Sequence, residues 1–413
     1  MIMKKKVVVI GAGASGLFAA GIAAANGAEV VLIEKNDKPG RKLMITGKGR
    51  CNLTNNTQDL SELIKAVPTN GRFLYSAFSS FMPIDTMAFF EGLGVPLKTE
   101  RGNRVFPVSD RAADIVDALT DFALGNCKFI KGRVKYFICE DSRIKAVKLQ
   151  DSTQIEGDSF ILATGGMSYK NTGSTGDGYV LARSLGHTVT PITPSLVPLV
   201  IQEHFCSQMQ GLSLKNTALT MKVAGKKVYE DFGEMLFTHF GVSGPMVLSA
   251  SGHLNRKNVS GAKIYIDVKP ALSYEKLDKR ILSDFSKYSN KNVSNALGDL
   301  LPSKMIAPIL GVAGINAQTK VNQITKQQRK SLANAIKSLE MTVVDFFDID
   351  SAIITSGGIS VKEIEPNTMK SKLIDNLYFA GEVIDVDAYT GGYNLQIAFS
   401  TANLAGKFAS KEN

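Results

Sequence analysis

Gly11, Gly13 and Gly16 stand in the spacing G-x-G-x-x-G, directly after the apolar run Val7–Ile10 and at the opening of an alanine-rich stretch running from Ala14 and Ser15 to Asn26. Each glycine has a job in one kind of chemistry. The first permits a tight turn, the second lets a pyrophosphate approach the backbone, and the third lets a helix pack closely on its strand. Unpaired N–H groups at a helix start, aided by the helix dipole, favour a phosphate by ~0.3–2 kcal/mol. Glu34 closes the next apolar run, VVLIE, followed by Lys35. A carboxylate there accepts hydrogen bonds from a ribose diol and repels a 2′-phosphate. The spacing predicts a βαβ unit that holds a dinucleotide.

Other residues capable of chemistry are scattered. Lys38, Arg41, Lys42, Lys48 and Arg50 follow the βαβ unit with no acid among them, so they complement a pyrophosphate or an anionic substrate. Gly40, Gly47 and Gly49 lie between these cations and allow close backbone approach. Cys51 invites a redox reading, but with no cysteine nearby it reads as a buried small residue. His239, in THFGVSGP, and Tyr393, in TGGYN, are the candidate proton donors. Asp385 and Asp387 follow Glu382 closely and either line a site or cap a turn. Cys51, Cys127, Cys139 and Cys206 have no metal-ligand or C-x-x-C spacing, so no metal is expected.

The elements that position these residues follow from pattern. With 44% hydrophobic and 21% charged residues, the chain reads as a globular protein of two or three domains. No apolar run is long enough to span a membrane, Lys4–Lys6 precede too short a run for a signal core, and the cysteine usage suits a reducing cytoplasm. The stretch KPGRKLMITGKGRCNLTNN reads as a long ordered loop. Helices are expected at 59–66, 71–81, 85–93, 111–124 and 176–185, and short strands between 128 and 160. From Pro191 short alternating segments (SLVPLVI, NTALTMKVAG, KIYIDVKP) indicate a β-rich unit. Residues 273–337 read as helical, and a strand returns at 341–348. The division expected is a discontinuous cofactor domain (1–190 and 350–413), a β-rich insert (191–270 and 338–349) and a helical insert nested within it (271–337).

Two later segments specify the cofactor. FILATGG (160–166) and LYFAGE (377–382) are apolar strands running into glycine. With the amino-terminal fingerprint, this ordered set resembles the two-dinucleotide-fold flavoproteins, in which the acid of the last strand, here Glu382, binds hydroxyls of FAD. The blocks GRKLMITGKGRCNLTN (40–55), ATGGMSYKNTGSTGDGYVLARSLGH (163–187), TPSLVPL (193–199), LFTHFGVSGPMVLSAS (236–251) and ITSGGISVKEIEPNTMKSKLIDNLYFAGEVIDVDAYTGGYNLQIAF (354–399) resemble the bacterial three-domain FAD flavoproteins of the BaiN-like and aminoacetone-oxidase-like type. One departure is Lys170-Asn171, where the resemblance leads to the expectation of a proline. The resemblance implies an α/β fold: a Rossmann-like FAD-binding domain from both chain ends, an inserted β-barrel-like domain and a small helical domain. It also implies a cofactor set of Gly11, Gly13, Ala14, Ser15, Gly16, Glu34, Lys35, Gly40, Arg41, Lys42, Gly47, Gly49, Arg50, Cys51, Asn52, Val134, Ala163, Thr164, Gly165, Gly381, Glu382, Gly391, Gly392, Tyr393, Asn394 and Leu395. Donors at the start of the helix after Gly391-Gly392 would stabilise negative charge on a reduced flavin.

The function expected is an FAD-dependent oxidoreductase exchanging a hydride with a small organic substrate, by amine oxidation or by reduction with NAD(P)H as a transient co-substrate. The chemistry is expected where the insert domain meets the flavin. Two alternatives come from other classes: a flavin-dependent RNA-modifying protein and a low-turnover FAD-binding protein. Residues 271–340 hold 11 Lys/Arg against 5 Asp/Glu, which would suit RNA. Base-stacking aromatics are few there (Tyr274, Phe285, Tyr288), which disfavours nucleic acid as partner.

Overall fold

The computed structural model describes residues 4–254 and 258–411; the expected domain segments therefore extend at 1–3, 255–257 and 412–413 outside the described residues. The chain divides into two compact units, Met1–Ser195 with Ile349–Asn413, and Leu196–Asp348.

The first unit is built on five parallel strands in the order Leu377–Phe379, Ser159–Leu162, Lys6–Ile10, Glu29–Glu34, Cys127–Lys131. Val7, Val8 and Val9 are wholly buried, as an unbroken β-branched run must be when both faces of a parallel sheet are covered. Helix Ala14–Ala25 covers one face, packed on helix Tyr393–Ala409. The approach is close enough that a Cβ on Gly406 would stand 2.6 Å from the Ala19 carbonyl oxygen. Phe18 fills the space beside it, with the Phe81, Phe89 and Phe399 rings 4.9–5.4 Å away. Two small antiparallel sheets complete the unit: Thr54–Asn55 with Arg104–Pro107 and Leu97–Glu100, and the meander Val134–Glu140, Arg143–Leu149, Gln154–Glu156.

The stretch expected as one long loop contains a short helix, Arg41–Ile45, opened by Gly40 at φ 68°. Of its five residues only Leu43 is buried, so no apolar periodicity announced it. Gly47, Lys48 and Cys51 then take positive φ, and the chain enters the Thr54–Asn55 strand.

The second unit contains a closed barrel in the order Leu199–Ile201, Gly241–Ser243, Lys226–Phe237, Ser213–Val223, Lys263–Asp267, Leu339–Phe346. Ala224-Gly225, both at positive φ, turn Ser213–Val223 into Lys226–Phe237, as a two-residue hairpin requires. Lys226–Phe237 is absent from the sequence expectation because only Met235 and Phe237 of its twelve residues are buried. Helices Tyr274–Lys287, Ser303–Val312 and Lys326–Lys337 share one continuous core with the barrel, through Leu277, Ile281, Leu332 and Ile336 on the helices and Ile264 and Met341 on the strands. Ser273 caps the first of these helices, and Thr325 with Gln328 forms a capping box on the last.

Candidate functional site

Because the five strands are parallel, Ile10, Glu34, Leu162 and Phe379 end at one edge, where open α/β sheets bind ligands. Backbone bonds fix that edge: Gly11 N–H donates to Ile33 at 2.8 Å, Ala163 N–H to Ile10 at 2.9 Å and Ala380 N–H to Leu162 at 3.1 Å. The three glycines of the turn differ in what surrounds them. Gly11 is at φ 100°, and a Cβ there would stand 2.6 Å from the Ala163 oxygen; a Cβ on Gly16 would stand 1.8 Å from the Gly11 oxygen. A Cβ on Gly13 meets nothing within 4 Å. Gly13 caps helix Ala14–Ala25 with no side-chain bond and no acid in its first turn, so the helix start is open to an anion. Glu34, buried, accepts from Ala12 N at 2.7 Å and from Asn36 N and Nδ2 at 2.9 and 2.7 Å. Gly40 N–H donates to Ala12, and Gly132 N–H, two residues before Val134, donates to Glu34 O. Lys35 turns aside to Thr175 and Asp177.

Glu382 gathers a second group. Its carboxylate accepts from Lys42 Nζ at 2.8 and 3.0 Å and from Thr355 N at 2.9 Å, and Ser168 Oγ accepts from the same Lys42 at 2.8 Å. Gly381, at φ 75°, leaves room for Ser15, whose Oγ would be 2.5 Å from a Cβ there. Gly165 is also at positive φ, 70°. The Thr164 hydroxyl is buried with no hydrogen-bond partner. Burial beside Glu382 and Asp385 drives the Tyr179 phenol far above its usual range.

A third group forms where Gly391 and Gly392, at φ 125° and 100°, open helix Tyr393–Ala409. A Cβ on Gly392 would stand 2.3 Å from Thr54 backbone atoms. The Asn52 amide oxygen accepts from Gly392 N at 3.0 Å, and Asn55 Nδ2 donates to Gly391 O at 3.1 Å. Asn394 clamps the preceding turn through Ala388 N and O, both at 2.9 Å. This helix start also lacks a side-chain cap and a first-turn acid. Tyr393 and Leu395 are partly buried at its mouth.

Other expected site residues are engaged elsewhere. Arg50 lies over the Phe106 ring at 4.1 Å and binds Glu100 and Asp110; Arg50 holds the Glu100 carboxyl below its usual range, and Lys98 with Arg50 does the same for Asp110. Arg41 donates to Asn36 Oδ1 at 3.1 Å. Gly47 and Gly49 form the positive-φ turn before Cys51. Cys51 is fully buried, and burial pushes its thiol up to about 12, so it stays protonated. Asp387 is buried and holds the Ser195 and Ser356 hydroxyls, and desolvation raises its carboxyl. His239 belongs to the second unit, exposed on the Thr238–Gly241 turn and edge-on to Phe240, which stacks on Phe347 at 3.8 Å.

Ser168, Thr355 and Gln396 stand at the site without any motif that announces them. Gln396 is wholly buried and accepts from Thr54 Oγ1 at 2.6 Å and Thr86 Oγ1 at 2.8 Å. A glutamine inside the apolar stretch LQIAFSTANLAG was its available signal. Among the described residues, no three His, Cys, Asp or Glu gather as a metal site, and no helix is long and apolar enough to cross a membrane.

Two uncapped helix starts and an open glycine at one sheet edge can hold an extended, phosphate-bearing dinucleotide. A family described as "HI0933-like protein Rossmann domain" matches residues 5–408. The chain is 33% identical over 420 residues to a 3-dehydro-bile acid delta(4,6)-reductase of Clostridium scindens, covering 98% of this chain and 99% of that one. It is 31% identical over 401 residues to a ribosomal RNA dihydrouridine synthase of Haemophilus influenzae, covering 96% of each. Among solved structures, 3-ketosteroid delta1-dehydrogenase from Sterolibacterium denitrificans, in complex with 1,4-androstadiene-3,17-dione, superposes with a TM-score of 0.54 at 13% identity, covering 98% of this chain and 99% of that one. That last likeness is one of fold.

Proposed function

The chain belongs to the HI0933-like Rossmann family, and from that premise we propose that it is an FAD-dependent reductase acting on a carbon–carbon double bond conjugated to a carbonyl. The observation that carries the cofactor is the sheet edge with two open helix starts, at Gly13 and Gly392. Bound FAD supplies two-electron hydride chemistry there. The Gly13 turn and the Ala14–Ala25 helix bind the pyrophosphate, Glu34 the adenosine ribose, and Glu382 the ribityl hydroxyls. Lys42 neutralises Glu382 until those hydroxyls compete for it. The first N–H groups of Tyr393–Ala409 stabilise negative charge on the reduced ring. Tyr393, partly buried at the start of that helix, is the proton donor we assign to the second half of the addition.

The reaction class is supported by what the two relatives' names share. Reduction of a delta(4,6) bile acid bearing a 3-keto group, and saturation of a uracil ring, both add a hydride and a proton across an alkene in conjugation with a carbonyl. The reductive direction is therefore favoured over amine oxidation, with NAD(P)H as the electron source. A uracil in RNA is a second reading of the substrate. In the helical segment Asp278, Asp284 and Asp299 are ion-paired to Arg329, Arg280 and Lys287 respectively, and the 11 Lys/Arg of residues 271–340 outnumber its 5 Asp/Glu, which suits a phosphate backbone.

The test is anaerobic. Holoenzyme reduced with dithionite is mixed with a conjugated steroid enone, a uracil-containing RNA, and buffer. Reoxidation of the flavin by an enone or the RNA is expected. Indifference to both, together with bleaching of the oxidised flavin by a secondary amine, overturns the reading.

A further inference from the structure

Beside the cofactor cradle lies a cavity of about 470 Å³, within the range of ligand pockets. None of Gly11–Gly16, Glu34, Glu382 or Gly391–Tyr393 lines it. One wall is the Arg41–Ile45 helix with Lys38 before it; the other is the Lys170–Thr172 turn with Tyr169 before it. Four features make it a built site. Lys38, Arg41 and Lys170 put three cations in its lining against one carboxylate, Asp350, 3.3 Å from Lys170. Met44 and Ile45, 39% and 43% exposed, line it with apolar surface. Tyr169 offers a half-buried ring. That tyrosine is held at φ 53°, a left-handed conformation an aromatic residue avoids unless its surroundings impose it.

An aromatic face and two apolar side chains suit a planar base, and three cations suit a phosphate. The position also matters. Glu34 makes the cradle hostile to a 2′-phosphate, whereas this cavity offers that group positive charge. We propose that the cavity binds the adenosine 2′-phosphate end of NADPH, the reductant of the reaction. This rests on the reductase reading: NADPH yields its hydride and leaves as NADP⁺, and the alkene takes up that hydride through the flavin plus one proton from solvent.

The experiment uses the FAD-loaded enzyme and the variants Lys170→Glu and Lys170→Arg. Lys170 is exposed, and its pair with Asp350 contributes little to stability. Equilibrium dialysis of 2′,5′-ADP and of 5′-AMP reads the site without electron transfer, and anaerobic stopped-flow reads flavin bleaching by NADPH and NADH. Expected are tighter binding of 2′,5′-ADP than of 5′-AMP, and a half-saturating NADPH concentration raised about tenfold in Lys170→Glu. The limiting bleaching rate and the flavin content stay unchanged, and Lys170→Arg behaves as the parent. Equal binding of the two probes, an unmoved half-saturation in Lys170→Glu, or loss of FAD from that variant overturns the proposal. Failure of the reductase reading is seen separately, when dithionite-reduced enzyme leaves conjugated carbonyls untouched.

Discussion

Replacing one glycine of the turn at a time separates folding from cofactor binding. At Gly13, φ is −80° and a Cβ meets nothing within 4 Å, so alanine fits the cofactor-free chain without strain. Gly→Ala at a compatible backbone changes stability by about 0.4–1 kcal/mol in the favourable direction, offset by the weaker cap. The new methyl instead occupies the space through which a pyrophosphate approaches the helix start. Losing one backbone hydrogen bond to a charged oxygen costs about 1.5–3 kcal/mol, or roughly 10- to 150-fold in Kd. At Gly16 the same methyl would lie 1.8 Å from the Gly11 oxygen, and the backbone must move. An overpacking cost of about 3 kcal/mol lowers Tm by roughly 6–12 °C in a unit of this size. The assay is thermal unfolding of the two apoproteins, followed by FAD titration monitored by flavin fluorescence. Gly13→Ala should unfold within about 3 °C of the parent yet bind FAD at least about tenfold more weakly. Unchanged FAD affinity in Gly13→Ala, or an unchanged Tm in Gly16→Ala, would refute the reasoning.

Three more outcomes follow from buried groups. His187 donates to Glu363 at 3.2 Å and accepts from Ser371 at 2.9 Å, because the Ser371 oxygen already receives Leu373 N and Ile374 N. Burial lowers the imidazole's pKa despite Glu363, so the folded state binds fewer protons than the unfolded one. Stability is therefore full above about pH 6.5 and falls below it, by at most about 1.4 kcal/mol per pH unit; urea midpoints should lose that slope in His187→Gln. Thr164→Val removes an unpartnered buried hydroxyl and should raise apoprotein stability by about 1 kcal/mol, read from the denaturation midpoint. Iodoacetamide at pH 8 should alkylate exposed Cys139 while sparing Cys51, as peptide mass mapping would show.

What was legible in the sequence followed from local physics. Val7–Ile10, Phe160–Leu162 and Leu377–Phe379 are unbroken apolar runs ending in glycine, and they lie side by side in the parallel sheet. Helix Ala112–Leu124 was legible from its apolar period. Lys226–Phe237 was not, since a barrel strand with polar residues in both phases carries no period of two. Nor was the engagement of Arg50, because Glu100 and Asp110 reach it only through the Leu97–Glu100 and Arg104–Pro107 hairpin. Lys42 and Glu382 were each legible as site residues; their meeting was not, being a product of strand order.

The parallel sheet recruits its strands from both ends of the chain, and this sets a timetable for synthesis. The helix start at Ala14 leaves the ribosome long before its counterpart at Tyr393. At ordinary elongation rates the interval is roughly 20–80 s. Once made, the Ser159–Leu162 strand has an unpaired edge for roughly 10–40 s of that interval, until Leu377–Phe379 follows it. A nascent chain thus offers an incomplete grip on any nucleotide and an open strand for mispairing. A chain stopped short of Leu377 lacks both the strand that pairs with this edge and the helix start at Tyr393.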